Sequence, residues 1–146
     1  MGKNSDSIKF TLHKITTEQF AIIADPPAND DKVSFKTDFT FGCNMEEKAI
    51  GVFLKISFEN DSNPFLLVEA GCHFLIEDIS WESIFFMDKN KLVLPKGFAS
   101  HLLMICMGTT RGILHSKTEN TRLNNYYLPL VNVSEMIKSD LELCNP

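Results

Sequence analysis

Up to Val93 the hydrophobic positions recur mainly at every second residue, the period of a β-strand with one wet face. Ile8, Phe10 and Leu12 alternate with Lys9, Thr11 and His13; the alternation breaks near Lys14-Ile15 and resumes through Phe20 and Ile22. This predicts a strand over residues 8–24 carrying a bulge or bend. The segment DPPANDDK is a loop, since paired prolines with Asn and Asp offer turn chemistry but few ladder donors. From Val33 the pattern is cleanest: Val33, Phe35, Phe39 and Phe41, with Thr37 among them, share one face, and Ser34, Lys36, Asp38 and Thr40 the other. After a turn at 43–48, a third strand over 50–58 sets Ile50, Val52, Leu54, Ile56 and Phe58 in period two and leaves Phe53 on the nominally polar face. Residues 59–64 have hairpin-loop composition. The fourth strand is apolar on both faces, with Leu66, Val68, Ala70, Cys72, Phe74 and Ile76 on one and Phe65, Leu67, Gly71 and Leu75 on the other. Such a strand is covered on both sides, or covered on one and used for binding or assembly on the other. Two helix candidates cannot cover both faces of a sheet, so the pattern points to association with a partner.

The period changes at Leu94. Pro95 stands where a helix begins, at a position where its missing N–H costs nothing, and Phe98, Leu102, Ile105, Thr109 and Ile113 then recur at intervals of three and four. They predict one apolar stripe along a long helix. The polar run HSKTENTRLNN ends it, an extended Tyr-Tyr-Leu-Pro follows, and Asn132 with Glu135 three residues on has the spacing of a capping box for a second, short helix. Between the two regimes, residues 80–93 read as a short helix or a loop; the apolar run Ile84 to Met87 either tucks into the core or forms an aromatic wall beside a groove. Gly108 and Gly112 lie four apart on the long helix, at a propensity cost of about 1 kcal/mol each. Their spacing fits close packing at a subunit interface, or else a kink near Gly108.

A chain of 146 residues with 44% hydrophobic composition is a single domain, 1–146, able to bury about two thirds of its unfolded surface. The net charge of −5 argues against nucleic acid, which requires a basic stripe to displace counterions, and against anionic membrane surfaces. No apolar run reaches the length of a membrane span, and MGKNSDS has no signal-peptide core, so a cytoplasmic location is expected. Cys43, Cys72, Cys106 and Cys144 are then free thiols serving as small hydrophobes.

Catalytic and metal chemistry finds little footing. Cys72 and His73 are neighbours, but strand alternation sends them to opposite faces, and there is no C-x-x-C or H-x-x-x-H, so no metal is expected. No G-x-S-x-G occurs, and Cys106 falls mid-helix. His101 and His115 are fourteen residues apart, or about 21 Å along a helix, too far to act together. A phosphate-cradling Gly-rich loop is missing as well. A non-enzymatic protein with no cofactor is the expectation, with Arg111 and Lys117 solvated.

Several stretches carry a resemblance. FTLHKITTEQFAI is similar to the first strand of the SecB family of export chaperones, FLLVEAGCHFLI to its fourth strand, the LP-x-x-F opening of the long helix to its counterpart, and LPLVNV to the approach to the last helix. Their order extends over nearly the whole chain. The resemblance implies an α+β fold, a four-stranded antiparallel sheet covered on one face by a long and a short helix. It implies protomers paired through the first strand and the long helix, with Phe10, Leu12, Leu102, Gly108 and Gly112 as interface candidates, in a dimer of dimers. It also implies a holdase that binds unfolded polypeptide in an apolar groove, for which Phe53, Phe65, Leu67, Phe85 and Phe86 are the candidates. An adaptor with one dedicated partner, such as an antitoxin, is the alternative. Coupling to the SecA motor is less well matched: Gln19 and Ile23 stand where the family's first strand is acidic, although Leu67 and Glu69 fit the fourth.

Overall fold

The computed structural model describes residues 8–144, and of Cys144 only the backbone; the N-terminal MGKNSDS lies outside the described residues. Four strands, β1 (Phe10–Ile22), β2 (Val33–Asn44), β3 (Ala49–Asn60) and β4 (Asn63–Ile76), form an antiparallel sheet in the order β1-β4-β3-β2. The expected break in β1 is two bulges, at His13 and Glu18, where the register against β4 slips. The β3–β4 connection is tighter than the six-residue loop its composition suggests. Only Asp61 and Ser62 turn the chain, both at positive φ (52° and 71°), the backbone of a two-residue hairpin turn whose twist matches the strands.

Period-two alternation sends Ile50, Val52, Leu54 and Ile56 of β3 and Leu66, Val68, Cys72 and Phe74 of β4 to one face, all fully buried. The long helix α2 (Lys96–Thr118) lies across this face and packs on β3 and β4. Its buried line runs by fours from Phe98 through Leu102, Cys106, Thr110 and Leu114 to Thr118. The expected stripe is thus rotated: Ile105, Thr109 and Ile113 are half-buried on its flank. Thr110 and Thr118 read as polar in the sequence, yet their hydroxyls donate to the carbonyls of Cys106 (2.7 Å) and Leu114 (2.8 Å) and leave only methyl groups for the core. The helix runs unbroken through Gly108 and Gly112. Beneath it the Cys106 thiol donates to the Val52 carbonyl at 3.5 Å; its hydrogen bond with Cys72 and its burial push its pKa up, as fits a thiol acting as a small hydrophobe.

The segment between β4 and α2 is neither plain loop nor sheet cover. It forms α1 (Asp78–Ile84), which buries Trp81 and Ile84, then β5 (Phe85–Phe86), a 3-10 turn, and β6 (Lys91–Leu94). After α2, α3 (Val133–Met136) is capped by Asn132, whose side-chain oxygen accepts the Ser134 N–H at 3.2 Å. A last strand, β7 (Leu141–Cys144), pairs with β6, so β5, β6 and β7 make a second, small sheet that the hydrophobic pattern does not announce. The return from α2 is pinned at two points. Tyr126 packs on Phe58 and Phe65 and donates its hydroxyl to Asp30 at 2.8 Å. Arg111, expected to be solvated, donates through Nε to the Leu128 carbonyl at 2.9 Å and through a guanidinium N–H to that of Pro129.

Candidate functional site

Three surfaces of this fold leave apolar side chains uncovered. The first is a shelf formed by β1 and the flank of α2. Because α2 packs mainly on β3 and β4 and meets β1 chiefly through Phe10, much of the same face of β1 projects beyond it. Leu12, Ile15 and Ile22, opposite Phe74, Cys72 and Leu66 of β4, remain 47%, 49% and 54% exposed, and Met104 on the helix is 58% exposed. Gly108 and Gly112 lie on the exposed side of the helix with nothing within 4 Å of the Cβ each lacks. Among the described residues no strand pairs with the outer edge of β1.

The second surface lies at the opposite edge. Val33, Phe35, Phe39 and Phe41 of β2 face the helix side but are only partly covered. Phe39 and Phe41 meet edge to face at 6.0 Å, and Phe35 leans on Phe58 at 6.3 Å. The small sheet closes part of this side, with β7 against β2. At the far strand of the small sheet, Phe85 is half-buried and stacked on Trp81, whereas Phe86 and Met87 project outward.

The third is the uncovered face of the main sheet, with a shallow cleft of about 410 Å³ bordered by His13, Lys14, Glu47, Phe53 and His73. Phe53 does not stand up from it. The ring lies over two glycines, so that a Cβ on Gly71 would come within 2.8 Å of it and one on Gly51 within 3.1 Å. His73 packs edge to face on the same ring at 5.3 Å and approaches the Thr16 hydroxyl at 3.4 Å. Partial burial, then the neighbouring Lys14, hold its pKa below the usual imidazole value.

The residues singled out from sequence are therefore dispersed. Phe53 and Leu67 belong to the uncovered sheet face, and Phe85 and Phe86 to the small sheet. Phe65 departs from its expected face: the register slip after Phe58 lets both Phe65 and Leu66 turn inward, and Phe65 is 2% exposed against Phe58 and Tyr126. Of the interface candidates, Leu12, Gly108 and Gly112 lie on the shelf. Phe10 packs on Phe74, Phe98 and His101 of its own chain, and Leu102 is wholly buried beneath the helix, with no surface to offer a second protomer. Phe35, Phe39 and Phe41, partly covered at a sheet edge, were not among the residues singled out. Their signal, three phenylalanines on one face of a strand, was visible, but nothing in the pattern marked β2 as an edge.

The described residues gather no His/Cys/Asp/Glu group able to hold a metal, and no helix among them is long and apolar enough to cross a membrane. What the surfaces offer is burial of apolar groups and pairing of strand edges.

Neither a protein-family model nor a curated protein sequence matches the chain. Among solved structures, the chain is similar to the Mycobacterium tuberculosis Rv1957 SecB-like chaperone, determined in complex with a ChAD peptide from the Rv1956 HigA1 antitoxin. The TM-score is 0.54 at 9% identity, covering 84% of this chain and 91% of that one. A Streptococcus agalactiae protein of unknown function is 15% identical over 86% of this chain and 99% of its own, with a TM-score of 0.34 that carries no argument. With its helix-covered sheet in the order β1-β4-β3-β2 and that likeness over most of its length, the chain has a SecB-like fold.

Proposed function

We propose that this protein is a non-enzymatic chaperone or adaptor that holds an extended apolar segment of another polypeptide between the phenylalanine face of β2 and the small sheet. The observation that carries the reading is the partly covered row Phe35, Phe39 and Phe41 at a sheet edge, against which the small sheet packs only through β7. A core has no use for an aromatic row left half in water, whereas a binding groove does. Burial at about 25 cal/mol per Å² of apolar surface discriminates little by sequence, so general holdase activity on unfolded chains is the broader form. The narrower form is service to one dedicated partner. The neighbour, a protein of similar fold in complex with an antitoxin peptide, supports considering it. Pairing of protomers through β1 and α2, in a dimer or a dimer of dimers, belongs to the same proposal, as does a cytoplasmic setting.

The test is suppression of aggregation of a chemically unfolded protein. Wild type is expected to suppress it near stoichiometric ratio. Phe35→Ser with Phe86→Ser should weaken suppression several-fold without loss of the folded signal in circular dichroism. Full suppression by that variant would place the binding surface elsewhere. No suppression by wild type would leave the dedicated partner as the reading to pursue.

A further inference from the structure

The small sheet holds a clue to what kind of polypeptide this groove takes. β7 is joined to it only through β6: Leu141 pairs with Leu94, Glu142 with Val93 and Leu143 with Leu92. Leu141 and Leu143 turn inward and are half-buried against the core, next to the wholly buried Leu92 and Leu94. Glu142, between them, turns outward and accepts a hydrogen bond from Lys91 Nζ at 2.8 Å. The same strand lies against β2, beside the groove described above. β7 therefore binds as an extended peptide binds a sheet edge, by a main-chain ladder with alternate side chains in apolar sites.

Its attachment is slight. The ladder rests on a four-residue strand whose other neighbour, β5, has two residues. The ion pair is exposed on its Glu142 side, where such pairs contribute little. The anchors that precede it do not depend on it: Ile137 is buried, and the Asp140 carboxylate accepts the Lys96 N–H at 2.9 Å at the start of α2. Neither of these anchors involves a residue of β7.

We propose that β7 is a resident strand, and that a client enters by strand exchange, pairing with the freed edge of β6. The client segment fitting this place is extended, apolar at alternate positions and acidic between them, the pattern Leu141-Glu142-Leu143 itself shows. This rests on the client-binding reading above and names the segment class that the groove accepts. It also makes the groove self-shielding, since an empty β6 edge would be an aggregation site.

The probe is a fluorescein-labelled synthetic peptide of residues 138–146 carrying Cys144→Ser, titrated into the full chain and followed by anisotropy. The variant Leu141→Ser with Leu143→Ser weakens the resident competitor, so it should bind the peptide at least tenfold more tightly than wild type. Hydrogen exchange on wild type with saturating peptide gives an independent reading that needs no variant: amides of β7 should exchange faster while those of β6 stay protected. Equal affinity for wild type and variant, or β7 amides that stay protected with peptide bound, would overturn strand exchange. So would a concentration-dependent dimer of wild type that the variant abolishes, because the exchanging strand would then belong to a second copy. If wild type and variant both suppress aggregation while no peptide binds, strand exchange fails and the chaperone reading stands. If neither suppresses aggregation but the peptide exchanges, the general holdase fails and the segment class stands.

Discussion

Introducing a charge at Ile15 should separate the protomers, and the structure sets the size of the effect. Leu12, Ile15 and Ile22 are each about half exposed on the shelf between β1 and α2. Fully burying a side chain of this kind stabilises by about 1.5–3 kcal/mol, so covering the exposed half of each contributes roughly 0.7–1.5 kcal/mol. A two-fold interface uses the three residues twice, which gives roughly 4–9 kcal/mol of gross attraction against an association cost of about 4–15 kcal/mol. The shelf alone thus brings a dimer near balance, and pairing of the free β1 edges, with Gly108 and Gly112 leaving room for a close neighbour, supplies the surplus. Ile15→Lys removes two half-burials per dimer, about 1.5–3 kcal/mol, so the dimer dissociation constant should rise on the order of 10- to 100-fold. Sedimentation velocity over a dilution series of both proteins measures it. Leu102→Ala is the control: it opens a core cavity costing about 2–5 kcal/mol and lowers Tm, but leaves the mass of the folded protein unchanged at a given concentration. A wild type that stays monomeric at every concentration would refute the reasoning, as would an Ile15→Lys dilution curve that superimposes on it.

Two further outcomes follow from close contacts elsewhere. Gly71→Val should destabilise by about 1–3 kcal/mol in urea unfolding, because a Cβ there would stand 2.7 Å from the Thr16 hydroxyl and 2.8 Å from the Phe53 ring; adding Phe53→Ala should recover part of the loss, and strictly additive effects would mean the two do not meet. Burial, and then the hydrogen bond and charge of Asp30, raise the Tyr126 hydroxyl from 10 to about 12. Being raised, it gives stability that is complete below pH 10 and lost as pH climbs through about 12, on the order of 1 kcal/mol for a hydroxyl this open to solvent, since the unfolded chain ionises first. Tyr126→Phe should cost about 1 kcal/mol at neutral pH and abolish that part of the alkaline loss; equal slopes for the two proteins between pH 10 and 12 would contradict it.

The four strands were legible because half-covered sheets impose strict alternation, and Val33 to Phe41 and Ile50 to Phe58 obey it almost without exception. What escaped was set by local slips that leave composition untouched. One bulge at Phe58-Glu59 brings Phe65 indoors, and no hydropathy pattern distinguishes an inward Phe from an outward one on a strand apolar on both faces. The helix stripe was misplaced because Thr110 and Thr118 are core residues once their hydroxyls bond to the preceding turn. The small sheet was invisible for another reason: Phe85–Phe86, Lys91–Leu94 and Leu141–Cys144 are each too short to show a period, and the last pairs with a segment about fifty residues before it.

The two sheet edges explain why one small fold offers two apolar surfaces of different character. An edge strand presents unpaired backbone groups, and a protein that keeps such edges must cover or break them. β1 is broken by bulges at His13 and Glu18 but keeps exposed apolar side chains, the surface the proposed dimer would cover. At the other edge, β2 is flanked by the chain's own β7, which leaves a narrow place already shaped to an extended strand. The proposed self-association and client binding would then fall on opposite edges, and substitutions should separate them. Ile15→Lys should leave affinity for the 138–146 peptide unchanged, while Leu141→Ser with Leu143→Ser should leave the dimer constant unchanged. A substitution that moved both measurements together would mean that the edges communicate through β3 and β4, the two strands between them, and that assembly itself sets how readily β7 is released.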